Sequence, residues 1–420
     1  MSNIARMMQR ATAGAGGAGL NVEEVFSTYL YEGNGDGSAA TNVQTINNGI
    51  DLSGEGGMVW IKGRSHTTDH IINDTVRGAG NTLQPNLSDA NQTGYYDISQ
   101  FNSNGFGLDA GGNVNNNGYD YASWTFRNAP KFFDIVTYTG NNTAGKTVSH
   151  NLGSVPGCII VKRTDNPDNW YVYHRGLNVN GDNAPETDYI RLNLTSEAFD
   201  SVVAWNDTAP TSTEFTLGDN DIVNATGGTY VAYLFAHNNN DGEFGPDGDL
   251  DIIKCGSYTG NNGQPHHVAL GFEPQWLLVK NADLGTSGAW WSVVDVQRGM
   301  LANTRIKVLK ANENEAEITE NGFTPTATGF TVSGSNDFQN NSTNNYIYMA
   351  IRRGTKVPES ATEVFAIDTQ VNQDPPLFDS GFPVDFALTR NVSSTANWAV
   401  GSRLIQGKQL NTDNTSAESS

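Results

Sequence analysis

The sequence predicts an all-β chain built from tandem sandwich or jelly-roll-like modules, and three observations predict it. A unit of roughly 110 residues recurs three times in full and begins a fourth time. Within each unit the apolar runs are short, rich in β-branched and aromatic residues, and separated by Gly, Asn, Asp and Ser clusters such as Asn141-Asn142, Gly227-Gly228 and Asn261-Asn262-Gly263. Beyond the N-terminus no segment carries a capped helical period. A strand-rich unit of this length closes its core most simply as two packed sheets.

Each unit opens on a strand-like phrase: Val25 to Tyr31, Asp134 to Gly140, Asp251 to Gly260, and a fourth at Val364-Phe365-Ala366-Ile367-Asp368. A second apolar run follows and ends in a base: Met58 to Lys62, Cys158 to Lys162, Trp276 to Lys280 and Val384 to Arg390. These four bases are 100, 118 and 110 residues apart. An Arg-Gly step comes next, at Arg77-Gly78, Arg175-Gly176 and Arg298-Gly299, with Gln406-Gly407 in the fourth unit. Then come the Phe turns, Gly105-Phe106, Glu214-Phe215 and Gly329-Phe330, and the closing strands Tyr121 to Phe126, Tyr230 to Phe235 and Tyr346 to Ile351. Markers that stay in phase define modules at 25–131, 132–246 and 247–357, a linker plus partial module at 358–420, and an arm at 1–24. The expected arrangement is a string of similar modules rather than one large catalytic domain.

The net charge of −21 disfavours nucleic-acid backbone and anionic membrane as partners. With 37% hydrophobic and 16% charged residues and 46 glycines, the chain is polar and loop-rich but not disordered in composition. No stretch has the length of a transmembrane helix, so membrane insertion is not expected. Cys158 and Cys255 occupy different repeats and different repeat positions, which predicts buried free thiols rather than a bridge.

At the N-terminus Ile4, Met7, Met8 and Ala11 fall on one helical face and Arg6 and Arg10 on another, ahead of the small-residue run Ala13 to Gly19. A short amphipathic helix on a leash suits docking into a partner; a frayed terminus is the plain alternative. At the other end the fourth unit lacks a Phe turn and a closing strand. The expectation is that its missing strands come from further chain or from another chain.

With those phrases laid out, the chain resembles a family of repeated virion proteins of tailed, mostly marine, bacteriophages. The resemblance is carried by Gly49 to Lys62, Asp74 to Ala79, Phe101 to Phe106 and Asn238 to Gly260, and covers residue 24 onward. It implies a tail-fibre or tail-associated structural protein, docked to other virion proteins through the N-terminal arm. It implies no catalytic residues. A multivalent adhesin for a host surface glycan or envelope protein, assembled as a homotrimer, is the expected function. The alternatives are a capsid decoration or tail scaffold without receptor binding, and a carbohydrate-active depolymerase.

Three sets of residues are candidates for sites. Trp170, Tyr171 and Tyr173, then Trp290 and Trp291, then Trp398 share one repeat position. Recurring Trp reads first as core; the alternative is a glycan platform, where a sugar's apolar face packs on a ring while nearby amides bond its hydroxyls. Asp247, Asp249 and Asp251 place carboxylates at alternate residues, which a calcium ion between modules would accept, although a solvated acidic linker needs no ion. The pairs His66/His70 and His266/His267 lack a third ligand nearby. No Gly-x-Ser-x-Gly elbow or phosphate loop is present, and the chain is not expected to be an enzyme or to carry a cofactor.

Overall fold

In a computed structural model the described residues are 19–38, 43–94, 97–300, 305–341, 343–356, 358, 360–369, 380, 384–391, 393–402 and 409–417. The docking-arm residues Ile4, Arg6, Met7, Met8 and Arg10 lie outside them. The fold is all-β, with helices of one turn only among the described residues. No described helix is long and apolar enough to cross a membrane.

The first module sets the pattern. Its strands are β1 (Phe26–Glu32), β2 (Gln44–Asn47), β3 (Gly57–Gly63), β4 (Ile71–Asp74), β5 (Asn81–Thr82), β6 (Gln92–Thr93), β7 (Ile98–Asn102), β8 (Gly105–Leu108) and β9 (Asp120–Arg127). The closing strand lies inside the main sheet, between the opening and second strands, in the order β1-β9-β3-β4. A smaller sheet, β2-β8-β7, packs over one face of it. Alternation along β3 sends Val59 and Ile61 into that sandwich core, with Ile46 and Phe106 from the facing sheet.

The second module repeats this with β10 (Phe133–Thr139), β11 (Lys146–Ser149), β12 (Pro156–Arg163), β13 (Trp170–His174), β14 (Asp188–Arg191), β15 (Phe199–Asp200), β16 (Glu214–Leu217) and β17 (Thr229–Ala236). Its main sheet runs β10-β17-β12-β13-β14-β15 over the pair β11-β16. The third has β18 (Ile253–Thr259), β19 (His266–Ala269), β20 (Pro274–Asn281), β21 (Ser292–Asp295), β22 (Arg305–Lys310), β23 (Ile318–Asn321), β24 (Phe323–Thr326), β25 (Gly329–Val332) and β26 (Asn345–Arg352). Its sheets are β18-β26-β20-β21-β22-β23 and β19-β25-β24.

The recurring Gly-Phe and Glu-Phe turns now have a cause. In modules one and three the glycine begins the second strand of a tight hairpin (β7-β8, β24-β25), and the strand on its other side, β2 or β19, lies close against it. A Cβ on Gly105 would meet the Ile46 carbonyl at 1.9 Å, and one on Gly329 the Val268 carbonyl at 2.0 Å. Module two has no such hairpin among its described strands, and Glu214 occupies the position.

The other face of each main sheet is apolar too. Met58 and Trp60, Cys158 and Ile160, and Trp276 and Leu278 all enter one shared core, together with Phe126, Phe133 and Phe235. Phe126 packs edge-on against Phe235 of module two, at 5.4 Å between ring centroids, and against Trp276 of module three, at 5.7 Å. The modules therefore do not form the expected string. They surround a common centre, because a sheet apolar on both faces needs a second layer and the neighbouring modules supply it.

The chain ends of this body are joined. The backbone N–H of Val22 donates to Thr355 Oγ1 (3.0 Å), and the Glu23 carboxylate accepts from the N–H groups of Thr355 (3.0 Å) and Lys356 (3.2 Å). Beyond it a three-stranded sheet, β27 (Phe386–Thr389), β28 (Ala399–Ser402) and β29 (Gln409–Asn411), stands in the order β27-β28-β29. The expected fourth opening strand at Val364–Asp368 is not a strand; the segment follows a one-turn 3-10 helix as exposed coil.

Candidate functional site

The chemistry-bearing residues converge on three seams between modules, built from the same repeat positions each time. The first position is the aromatic at the start of β13. The backbone N–H of Trp170 is fixed by Asn193 Oδ1 (3.1 Å), and its indole Nε1 donates across the seam to the module-one carbonyls of Gln84 (3.2 Å) and Leu87 (3.1 Å). Trp291 repeats this: Asn312 Oδ1 holds its backbone N–H (2.8 Å), and Nε1 donates to the Arg191 carbonyl of module two (2.9 Å).

The third instance closes the circle. His70 occupies the equivalent place in module one, with its backbone N–H on Asn86 Oδ1 (2.9 Å) and Nε2 against the Lys310 carbonyl of module three (2.9 Å). Facing a carbonyl, Nε2 must carry the proton, which leaves Nδ1 to accept from Trp60 Nε1 at 2.9 Å. Burial, then the nearby Lys62, push the His70 imidazole well below its ordinary pKa, so it is neutral, as that tautomer requires. Module two leans on one, three on two, and one on three.

The strand-ending lysines form the second recurring position. Lys162 Nζ donates to Ser88 O of module one (3.2 Å) and to Arg163 O (2.8 Å). Lys280 Nζ reaches Thr195 O of module two (3.1 Å) as well as Asn281 O and Leu284 O. Lys62 Nζ caps Gly63 O (2.7 Å), while the Thr68 N–H bonds Asn314 O of module three (3.0 Å). All three side chains are fully buried. Burial lowers the amine pKa to about 8 for Lys62 and Lys162 and about 7 for Lys280, against partial support from nearby carboxylates.

The third position is the end of the next strand. Asp74 Oδ2 accepts from Tyr233 OH of module two (2.8 Å) and pairs with Arg77 (2.6 Å). Asp295 Oδ2 accepts from Trp124 Nε1 of module one (3.0 Å) and pairs with Arg298 (2.7 Å). Module two carries His174 there, facing the Tyr348 carbonyl of module three at 3.0 Å. The Arg-Gly step is consequently not one structural position: Arg175 directly follows His174, whereas Arg77 and Arg298 stand three residues beyond their aspartates. A count anchored on Arg-Gly hides that offset; a count anchored on the lysines reveals it.

The glycan platform is corrected by burial. Trp170 is 0% exposed and Trp291 3%, with Tyr171 and Tyr173 equally enclosed, so these four are core and seam residues. Trp290 is half-buried, stacked on Phe338 (5.0 Å) beneath Lys310 Nζ (4.2 Å). Trp398 is exposed, with the Arg390 guanidinium over its ring at 5.3 Å. Asp247, Asp249 and Asp251 are not brought together as a ligand set. Asp251 accepts from the N–H groups of Asn240 (2.9 Å) and Gly242 (3.1 Å), Asp247 and Asp249 face solvent, and no group of three or more potential metal ligands converges among the described residues. Cys158 and Cys255 are free and buried, as expected, with both thiols pushed up in pKa by burial.

Outside the seams each module presents one equivalent loop, anchored by a buried asparagine that the sequence reading did not single out. Asn115 Oδ1 accepts from Asn34 N–H (2.9 Å), Asn224 from Asn141 (2.8 Å) and Asn340 from Asn261 (2.7 Å). A stacked Tyr pair supports each loop: Tyr31/Tyr121, Tyr138/Tyr230 and Tyr258/Tyr346, at 5.2, 5.0 and 5.0 Å. The exposed tips are Asn34 and Asp36, Asn141 and Asn142, and Asn261 and Asn262. Each tip therefore occupies the same place in its own module.

The model of a family described as a domain of unknown function, DUF7483, matches residues 22–353. The chain belongs to that family. Its span begins at the residue stapled to Thr355 and ends at the last strand of module three, so the DUF7483 unit coincides with the closed three-module body rather than with one repeat. Among curated proteins no match to the chain is found.

Proposed function

We propose that this DUF7483 protein is a structural component of a tailed-bacteriophage virion: a tail-fibre or tail-associated adhesin held through its N-terminal arm. The observation that carries the reading is the threefold recurrence of one rigidly anchored, amide-rich loop on a single body. Asn side chains offer both a donor and an acceptor, the pattern that matches sugar hydroxyls or exposed backbone of an envelope protein. Three equal contacts on a stiff frame gain avidity without any new contact chemistry, because the second and third bind at a high effective concentration. The resemblance to repeated phage virion proteins points the same way, and the acidic charge suits a particle that must not adhere to nucleic acid or anionic lipid.

The test is whole-cell binding by the purified protein, with Asn34, Asn141 and Asn261 and their exposed neighbours replaced by alanine one loop at a time and then together. Stepwise loss across the series is expected, steeper than additive when all three are changed. Binding that ignores the triple variant overturns the loop assignment. Immunogold labelling of virions places the protein: label on the capsid shell supports a decoration role instead, and no label overturns the virion reading. Deletion of residues 1–18 should prevent incorporation while leaving the ring's unfolding midpoint unchanged.

A further inference from the structure

The fourth, partial module carries a second copy of the seam. Counting from the base position, Arg390 stands where Lys62, Lys162 and Lys280 stand, and Trp398 where His70, Trp170 and Trp291 stand. The pairings agree. Thr389 opposes Ala399, and the Thr412 N–H reaches the Trp398 carbonyl (3.3 Å), just as the Leu192 N–H bonds Trp170 O (3.0 Å) and the Ala311 N–H bonds Trp291 O (2.8 Å). Strands β27, β28 and β29 are therefore the counterparts of β12, β13 and β14.

Paired residues in an antiparallel sheet share a face, and so do residues two apart. Phe386, Leu388, Trp398, Val400 and Leu410 consequently lie on one face of this sheet. Their counterparts in module two are Cys158, Ile160, Trp170, Val172 and Ile190, all of which belong to the shared central core. The face is thus the one that in modules one to three is covered by neighbouring modules. Here it is open: Phe386 is 63% exposed, Leu388 49% and Trp398 37%. The ring beneath is already closed by three modules, so it offers no vacant seam for a fourth.

We propose that this face is a self-association surface, covered by the fourth modules of two further copies of the chain in the cyclic arrangement that modules one to three adopt within one chain. The repeat equivalence names the occupant. A surface that evolved from one ring position is complementary to its own kind, with each Trp398 indole directed at the β29 backbone of the next copy. The analogous carbonyls in the ring belong to Gln84, Arg191 and Lys310, each two residues before the Asn that fixes the aromatic. The matching carbonyl in the fourth module is that of Asn411. A closed trimer, joined by equivalent head-to-tail contacts between copies, follows from cyclic symmetry.

The experiment is the mass of the full chain in solution by light scattering on a sizing column, from about 1 to about 100 µM because association follows mass action. The expected species is a trimer of about 136 kDa, three times the 45.2 kDa chain. Leu388→Asp with Trp398→Asp should yield monomers. Both positions are exposed in the single chain, so the thermal transition of the ring should be unchanged, and Val155→Asp, at another exposed apolar site, should leave the trimer intact. Wild-type protein that stays monomeric throughout overturns the proposal. So does a dimer, which would mean two faces simply pressed together, or a trimer that survives the double substitution. Loss of host binding with the trimer retained would bear on the adhesin reading and not on this surface.

Discussion

Replacing the buried amine of Lys280 by a methionine gives the sharpest test of the seam chemistry. In the folded chain burial holds the Lys280 pKa near 7, while the unfolded chain returns it to about 10.5. Between those values unfolding takes up a proton, so stability rises as pH rises and is lost as pH falls toward 7. For one amine with these two values, the gain from pH 7.5 to pH 9.5 is about 2.5 kcal/mol, from 1.36 kcal/mol per pH unit with rounding at each end. Lys280→Met lacks that term. Urea unfolding of both proteins at the two pH values should therefore show wild type gaining about 2.5 kcal/mol on the variant. The thiols of Cys158 and Cys255, raised in pKa by burial, pull stability down above pH 9, but equally in both proteins, so they cancel in the difference. Parallel curves, with the same gap at both pH values, would mean that Lys280 is solvated in the folded state and that the buried-seam account of it fails.

Two further outcomes follow from burial and backbone contact. Trp291→Ala removes a side chain 3% exposed and its bond to the Arg191 carbonyl, and should cost about 4 kcal/mol; Trp398→Ala, at the same repeat position but exposed, should cost under about 0.5 kcal/mol of ring stability in chemical denaturation. Equal costs would break the distinction between covered and open seams. Gly329→Ala places a Cβ 2.0 Å from the Val268 carbonyl and should lower stability by about 2 kcal/mol or more, whereas Glu214→Ala at the matching place in module two should change it by less than about 0.5 kcal/mol.

How much of this was legible in the sequence depends on the range of the interaction. Strands and turns were legible because they are written in neighbouring residues: the Val59/Ile61 alternation, or Asn142 and Asn262 at positive φ in their turns. The phase of the repeat was legible because Lys62, Lys162 and Lys280 stand at equivalent places in their strands. The ring was not, since the partner of Trp170 lies 83 to 86 residues away in another repeat and nothing local marks it. One signal was nevertheless present. Met58-Val59-Trp60-Ile61 is apolar on both faces, as are Cys158 to Val161 and Trp276 to Val279, and a two-layer sandwich covers only one face. A base ending each run without a solvent-facing alternation was the second sign, because a lysine on the Trp60 face is buried with it. Read together, these place a third layer over every main sheet. At Trp170, Tyr171, Tyr173 and Trp291 the core reading holds and the glycan alternative does not, because these side chains lie in the covered layer.

Why three modules close into a ring follows from the cost of each closure. Bringing the ends of a loop together costs about (3/2)RT ln n, so it grows slowly with length. The seams of modules two and three span separations of 86 and 100 residues, at about 4 kcal/mol each. The last seam, His70 to Lys310, spans 240 residues, yet its closure costs about 1 kcal/mol more than either. That seam also carries a four-membered charge network. Arg64 pairs with Glu317 (3.1 Å), Glu317 with Arg298 (3.3 Å), Arg298 with Asp295 (2.7 Å), and Asp295 accepts from Trp124 across the seam. Each charge is partnered at low exposure, where truncating one member leaves the rest buried and unpaired. The longest closure thus has charged as well as neutral directional contacts, which fix module one against module three.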